Sequence, residues 1–385
     1  MAGGISWVGR SALAGRARPS QSTLADAPPR LLGHRSRAPA GGTLASARRA
    51  YTVAQADAQR ERAAAWRGDN VPGVSLEQLA ADASALARRL RLPPHDDGAL
   101  RFYSEYTRAD GSKRSWCHWL VPRVLMVGRY PHPDPTAHPD LLHRRCASCG
   151  GPTLDESRAH LARLLGDGAR VRCFASLLDE VPAQTDDAAW PADGRCYLPQ
   201  QDREHFPAPF VRYYDAVMRA ASRADGDGDG VGYGGADADG DAVAAVGGEG
   251  EKGGAGVAWP LPSFVHFPMR DCAVPWSDGA ARSLLADLVS RLDVDTTDAP
   301  DGRAALYVHC WSGRGRAGLI GGALLALLRP ELAPAQVLRI VQAGYDSRAG
   351  AGLAPARGDR SPQTVEQRDW LENFVMELRE LRQVQ

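Results

Sequence analysis

The residues best suited to chemistry are Cys310 and Arg316, which lie in the run His309-Cys-Trp-Ser-Gly-Arg-Gly-Arg. An apolar stretch, residues 304–308, precedes this run, and a longer one, residues 317–328, follows it. This order predicts a strand, a glycine-rich turn and a helix. The N-terminus of a helix attracts anions and favours the thiolate form of a cysteine placed there. The predicted chemistry is therefore nucleophilic attack by Cys310 on a bound oxyanion.

The side chains and backbone around Cys310 are suited to holding a tetrahedral anion. Arg316 can bind two oxygens of such an anion at once through its planar fork of N–H groups. The alternative interpretation, an inert core cysteine at a strand end, does not explain the glycines and the arginine that follow. A thiolate that faces a phosphate bound by an arginine is the arrangement found in a cysteine-dependent phosphatase. The predicted phosphate-binding residues are His309, Trp311, Ser312, Gly313, Arg314, Gly315 and Arg316.

Four segments resemble the protein tyrosine and dual-specificity phosphatase superfamily, in the expected order along the chain. Residues 307–318 resemble its signature loop, and residues 266–276 resemble its mobile acid loop. Residues 361–367 resemble its glutamine-bearing segment. Residues 119–131 are similar to the entry strand of the atypical, dual-specificity-like branch. The resemblance covers roughly residues 115–380.

The resemblance implies a reaction and a role for each matching residue. Cys310 is expected to form a phosphocysteine intermediate, and Asp271 to act as the general acid. Gln363 and Gln367 are the candidates for placing the hydrolytic water. No metal and no cofactor are implied. The expected substrate is a phosphoprotein that carries phosphotyrosine, with or without phosphoserine and phosphothreonine.

Three positions leave alternatives open. Arg314 adds a positive charge that suits more highly phosphorylated ligands, so a phosphoinositide or other lipid phosphatase is one alternative. Ala317 stands where the family usually has Ser or Thr, whose hydroxyl assists hydrolysis of the phosphocysteine. A weakly active phosphate-binding adaptor is therefore a second alternative. Cys272, next to Asp271, is either a packed thiol or a partner for Cys310 in a reversible disulfide.

Composition excludes several classes of partner. Lys plus Arg and Asp plus Glu both number 46, so the net charge implies no nucleic-acid partner. No apolar run reaches the ~18–20 residues of a membrane span. Seven cysteines with irregular spacing suit a reducing compartment. The pair Cys146 and Cys149 is only half of a usual structural zinc site, so no metal is predicted.

The chain divides into segments of different composition. Residues 1–51 are rich in Arg and Ser and poor in acids, which predicts a transit peptide for a mitochondrion or chloroplast. The alternative is an uncleaved disordered arm of a cytoplasmic protein. Residues 52–100 are predicted to be a helical accessory segment, and residues 101–385 the catalytic domain. A Gly- and Asp-rich stretch, residues 225–256, is predicted to interrupt that domain as a disordered insert.

Alternating apolar strands and amphipathic helices predict an α/β fold. We expect a central, mostly parallel sheet flanked by helices, similar to the protein tyrosine phosphatase fold. The His-Cys-x5-Arg loop is expected at the carboxyl end of a strand, where such sheets bind ligands.

Overall fold

The computed structural model describes the following residues: 73–107, 111–131, 152–166, 168–196, 210–224, 261–298, 304–350 and 360–384. All of them belong to one unit, Arg49–Gln385. The predicted arm (1–51), the predicted insert (225–256) and the pair Cys146 and Cys149 lie outside the described residues.

A five-stranded sheet forms the centre of this unit, in the strand order β3-β4-β9-β5-β8. Strands β4, β9, β5 and β8 run parallel, and only β3 is antiparallel to its neighbour β4. Every residue of these five strands is buried, as expected for a sheet that is covered on both faces. The predicted α/β class with a mostly parallel sheet is confirmed. The strands are β3 Cys117–Val121, β4 Leu125–Gly128, β5 Val171–Leu178, β8 Ser263–Met269 and β9 Ala305–His309.

Helices cover both faces of this sheet. Helices α1, α4, α5, α6 and α7 pack on one face, and α2 and α3 pack on the other. The side chain of Ser75 caps α1 by accepting a hydrogen bond from Gln78 N. The sequence Ser75-Leu-Glu-Gln78 predicts a capping box here, but the Gln78 side chain donates to Asp82 instead of returning to Ser75. The helices are α1 Leu76–Leu90, α2 Leu154–Leu165, α3 Tyr214–Ala224, α4 Asp278–Asp298, α5 Arg316–Leu328, α6 Pro334–Asp346 and α7 Val365–Val384.

Two small strand pairs lie outside the central sheet. Strand β1 (Glu105–Thr107) pairs with β2 (Lys113–Ser115), and β6 (Arg195–Cys196) pairs with β7 (Phe210–Val211). The sequence predicts a helix from Pro209 to Met218, and this prediction is wrong at its start. Because residues 210–211 pair with β6, the helix begins only at Tyr214.

The last helix also begins later than predicted. The sequence predicts Ser361 as its cap, but α7 starts at Val365. The Ser361 hydroxyl instead donates to the Arg314 carbonyl at 2.8 Å. Thr364 caps the helix, since its hydroxyl accepts from Gln367 N and its N–H donates to Gln367 Oε1.

The carboxyl ends of three parallel strands meet at one edge of the sheet. Cys310 follows β9, Glu180 lies shortly after β5, and Asp271 lies shortly after β8. Because parallel strands end at the same edge, residues that are far apart in sequence are brought together there. Among the helices in the described part of the chain, none is long and apolar enough to cross a membrane.

Candidate active site

The Cys310 loop, residues 310–315, joins β9 to the N-terminus of α5. Cys310 itself is 2 % exposed. Gly313 has a φ of +68°, and a Cβ at this position would lie 2.3 Å from the carbonyl carbon of Gly128. Only glycine fits this left-handed conformation against the neighbouring backbone. The loop therefore turns tightly between the end of a central strand and the positive end of a buried helix.

Arg316 is the first residue of α5, and its side chain is almost fully buried. Nη1 donates to Glu180 Oε2 at 2.8 Å and to the Met269 carbonyl at 2.8 Å. Nη2 donates to Glu180 Oε1 at 3.0 Å and lies 3.2 Å from Asp271 Oδ1. Burial alone would lower the pKa of Arg316, but the charges of Cys310, Glu180 and Asp271 raise it above its ordinary value. The guanidinium is therefore a fixed cation at this edge of the sheet.

A count of hydrogen-bond donors shows how Arg316 can bind an anion. An arginine has five N–H groups, four of them on the two Nη atoms. The acceptors of Glu180, Met269 and Asp271 engage both Nη atoms. Nε is buried and has no hydrogen-bond partner among the residues that the structure describes. An oxyanion can therefore bind Nε directly, and it can bind Nη2 as well once Asp271 moves aside.

Asp271 lies on an exposed loop, residues 270–277, which we call the acid loop. Its side chain is 59 % exposed and contacts Arg316. Within this loop, Cys272 has a φ of +61°, and its thiol donates to Asp271 Oδ2 at 3.7 Å. Trp276 closes the loop by donating from Nε1 to the Pro268 carbonyl at 2.8 Å. The predicted general acid and the predicted phosphate-binding arginine are thus in contact.

Cys272 is exposed, and its thiol has a raised pKa. Partial burial is the largest cause, followed by the charge of the adjacent Asp271 and the hydrogen bond to it. A raised pKa makes this thiol less reactive at neutral pH. The predicted disulfide with Cys310 stays a prediction, and both cysteines are free thiols here.

His309 ends β9 and is completely buried. Its Nε2 lies 2.7 Å from the hydroxyl of Tyr213, a residue that directly precedes α3. Burial lowers the pKa of His309 to about 3, so the imidazole is neutral near pH 7. This histidine therefore helps to fix the start of the Cys310 loop through a hydrogen bond and not through a charge.

The remaining predicted loop residues have distinct environments. Trp311 is half-buried, its carbonyl accepts from Tyr130 N at 3.1 Å, and its ring packs against Phe210 at 5.5 Å. Ser312 is also half-buried. Arg314 donates from Nε to Gln363 Oε1 at 3.2 Å.

The glutamine segment contacts both loops. Gln367 is fully buried, and its Oε1 accepts from Gln363 N at 3.0 Å. Its Nε2 donates to the carbonyl of Ala273 in the acid loop at 2.9 Å. A Cβ on Gly315 would lie 3.2 Å from Gln367 Oε1 and 3.3 Å from Gln363 Oε1. Both glutamines therefore lie against the Cys310 loop, and Gln367 connects it to the acid loop.

Two charged residues of this site, Glu180 and Arg348, were not predicted from the sequence. Glu180 binds Arg316 through both carboxylate oxygens, and its position shortly after an apolar strand is a signal that could have indicated it. Arg348, which follows α6, donates to the carbonyls of Ser312 and Gly313 at 3.0 and 2.9 Å. Its surrounding sequence, Ser-Arg-Ala-Gly, carries no comparable signal.

Within residues 73–384, apart from the ranges that the structure leaves undescribed, no group of three or more His, Cys, Asp or Glu side chains is placed to hold a metal ion. The charged side chains at the Cys310 loop include Arg316, Glu180 and Asp271, which are paired with one another, and Arg314 and Arg348.

No protein-family model matches the chain, and no curated protein matches it. The chain is similar to a solved structure of kinase associated phosphatase in which the catalytic-site cysteine is replaced by serine. The identity is 12 %, the TM-score is 0.33, and the match covers 66 % of this chain and 86 % of that one. A similarity of this size does not assign a function.

Proposed function

We propose that this protein is a metal-independent phosphatase that hydrolyses phosphate monoesters through a phosphocysteine intermediate. The observation that carries the proposal is the relation between Cys310 and Arg316. The cysteine lies at the end of a central strand, and the buried guanidinium lies at the start of the next helix with its Nε unpaired in the described structure. A thiolate and a fixed cation on one tight loop are what attack on a bound phosphate requires.

The first chemical step forms one bond and breaks another. The Cys310 thiolate attacks phosphorus, and the bond from phosphorus to the leaving oxygen breaks. Arg316 and the N–H groups of the loop stabilise the charge on the remaining phosphate oxygens. Asp271, once it has left Arg316 and taken up a proton from solvent, gives that proton to the leaving oxygen, which departs as an alcohol.

The second step regenerates the enzyme. Water attacks the phosphorus of the phosphocysteine, and the sulfur–phosphorus bond breaks. Inorganic phosphate is released, and the Cys310 thiolate is regenerated. Asp271, now deprotonated, accepts the proton of the water. Gln363 and Gln367 lie against the loop where such a water would bind, although both amide groups already have hydrogen bonds within the protein.

The proposed substrate class is a phosphoprotein with phosphotyrosine, and phosphoserine or phosphothreonine in addition. This choice follows the resemblance of the loop sequences to dual-specificity phosphatases. Phosphoinositides are the second candidate, because Arg314 places a further positive charge beside the loop. A panel of phosphopeptides and phosphoinositides, offered to the purified protein, separates the two classes.

Replacement of the proposed nucleophile tests the function. Cys310→Ser should abolish release of inorganic phosphate, because a serine hydroxyl is a far weaker nucleophile than a thiolate at neutral pH. The variant should still bind vanadate, since Arg316 and the loop backbone remain. Hydrolysis that persists in Cys310→Ser would refute the proposal. A protein that binds vanadate but hydrolyses none of the panel would instead be the phosphate-binding adaptor.

A further inference from the structure

The back of the Cys310 loop is held by one buried arginine. Arg348 is 6 % exposed, and its Nη1 donates to the Ser312 carbonyl while Nη2 donates to the Gly313 carbonyl. Nη2 also donates to the carbonyl of Val127, in the adjacent strand β4, at 3.1 Å. The Arg348 guanidinium therefore binds two consecutive carbonyl oxygens of the loop and connects them to the sheet.

These two contacts fix the direction of the loop N–H groups. In a trans peptide unit the C=O and the N–H point in opposite directions. The carbonyl of Ser312 shares a peptide unit with the N–H of Gly313, and the carbonyl of Gly313 shares one with the N–H of Arg314. When Arg348 holds both oxygens at the back, both N–H groups point to the front. In the proposed function, this front is the side of the loop that holds the anion.

His118 in turn holds Arg348. Its Nδ1 accepts from Arg348 Nε at 2.8 Å, and the imidazole is completely buried. Burial lowers the pKa of His118 far below its ordinary value, so it is neutral and able to accept this bond. Gly344 makes room for the ring, because a Cβ there would lie 2.4 Å from His118 Cδ2.

We propose that His118 and Arg348 are positioning residues that keep the N–H groups of Gly313 and Arg314 directed at the bound oxyanion. This inference rests on the proposed function, because it concerns the anion that the Cys310 loop would hold. His118 orients the guanidinium, the guanidinium orients two peptide units, and those peptide units present their N–H groups to the anion. Neither His118 nor Arg348 touches the substrate.

The test compares His118→Leu with His118→Asn in the full chain. Asparagine can place its Oδ1 where Nδ1 of the histidine accepts, whereas leucine removes the acceptor. We expect His118→Leu to weaken vanadate binding about tenfold and to slow iodoacetamide alkylation of Cys310, because misdirected N–H donors stabilise neither the oxyanion nor the thiolate. His118→Asn should restore most of both properties. Thermal unfolding is measured on each variant.

His160→Leu is the matched control. Like His118, His160 is fully buried, has a hydrogen bond at Nδ1 (to Ser104, 2.7 Å), and leaves Nε2 without a partner in the described structure. We expect it to lower the unfolding temperature and to leave vanadate affinity and alkylation rate unchanged. Equal losses in His118→Leu and His160→Leu would show a general effect of core damage and would overturn the inference.

Arg348→Lys is the second variant. Lysine keeps the positive charge, but one ammonium group does not reproduce the planar fork that reaches two carbonyls. We expect the same losses as in His118→Leu. If the unaltered protein binds no vanadate, the proposed function fails. If it binds vanadate and these variants bind it equally well, the positioning role fails. Failure of both His118→Leu and Arg348→Lys to fold would assign the pair to core stability and would also overturn the inference.

Discussion

The two sides of the Cys310 loop are built differently. Behind the loop, His118 and Arg348 are buried, and Arg348 donates to His118 and to the Val127 carbonyl of the sheet. His309 is also buried and is hydrogen-bonded to Tyr213. In front of the loop, the side chain of Asp271 is 59 % exposed and Trp276 is 44 % exposed. Exposed loops with few buried contacts open at low free-energy cost, whereas buried networks do not. The back of the loop is therefore organised before substrate arrives, and the front is the part that can move.

In the proposed reaction, the buried back of the loop serves anion binding, and the exposed front serves proton transfer. The donors that hold an oxyanion must be fixed in advance if they are to stabilise the transition state without rearrangement. Asp271, in its proposed role as general acid, must instead leave Arg316 when phosphate takes Nη2, and then approach the leaving oxygen. An ion pair between Asp271 and Arg316 suits a loop that exchanges one partner for another.

The largest effect is expected from Asp271→Asn, on the movable side. Turnover of substrates with poor leaving groups should fall by roughly 10²–10⁴, the usual contribution of a general acid. An activated aryl phosphate should lose much less, since its leaving oxygen hardly needs a proton. Vanadate should bind more tightly, because a carboxylate no longer competes for Arg316 Nη2. Steady-state kinetics on both substrates and a vanadate titration measure these changes.

The control for this variant is Asp278→Asn, which removes the same charge at the exposed start of α4. This control should leave the turnover of both substrates and the affinity for vanadate unchanged. Thermal unfolding of Asp271→Asn should stay near that of the unaltered protein, because the side chain is exposed. An equal loss of turnover on both substrates would contradict the assignment of Asp271 as the general acid.

Glu180→Gln should produce the next largest effect on turnover. Glu180 lies at the boundary between the buried back and the exposed front of the Cys310 loop. An amide accepts with only one oxygen, so Arg316 loses one of two paired hydrogen bonds. We expect kcat/KM to fall about tenfold and the free energy of unfolding to fall by about 1–3 kcal/mol, the cost of an unsatisfied buried donor. Kinetics with an activated aryl phosphate and denaturant unfolding measure the two quantities.

Glu105→Gln is the matched control for Glu180→Gln. The Glu105 and Glu180 side chains are each 18 % exposed and paired with an arginine, but Arg101, the partner of Glu105, is an exposed surface residue. The control should change stability by less than about 1 kcal/mol, as surface ion pairs usually do. It should leave kcat/KM unchanged. The same fall in kcat/KM in both variants would contradict a specific role for Glu180.

The same division explains what could be predicted from sequence. The strand, the glycine-rich turn and the helix around Cys310 are contiguous, so periodicity and residue type predict them. Glu180 is 136 residues from Arg316, and His118 is 230 residues from Arg348. Contacts at such separations depend on the order of strands in the sheet, which periodicity does not determine. The predicted start of α7 was wrong because the Ser361 hydroxyl donates to the Arg314 carbonyl and does not cap its own helix.

The smallest effect, and the most informative about the second step, is expected at Ala317. This residue is the second of α5 and is completely buried beside the loop. If the missing hydroxyl slows hydrolysis of the phosphocysteine, the intermediate should accumulate. Rapid-mixing kinetics should then show a burst of released alcohol of about one per active site, followed by a slower steady rate.

Ala317→Ser should raise that steady rate several-fold and leave the burst rate nearly unchanged. The added hydroxyl can donate to the Cys310 thiolate as it departs from phosphorus, and that departure belongs only to the second step. Ala323→Ser is the control, since it adds a hydroxyl at an equally buried position later in the same helix. It should lower stability without changing either rate. Linear kinetics from the first turnover, with no gain in Ala317→Ser, would show that another donor already assists the thiolate. That donor would then be sought on the buried back of the loop, since the role proposed for the acid loop is proton transfer.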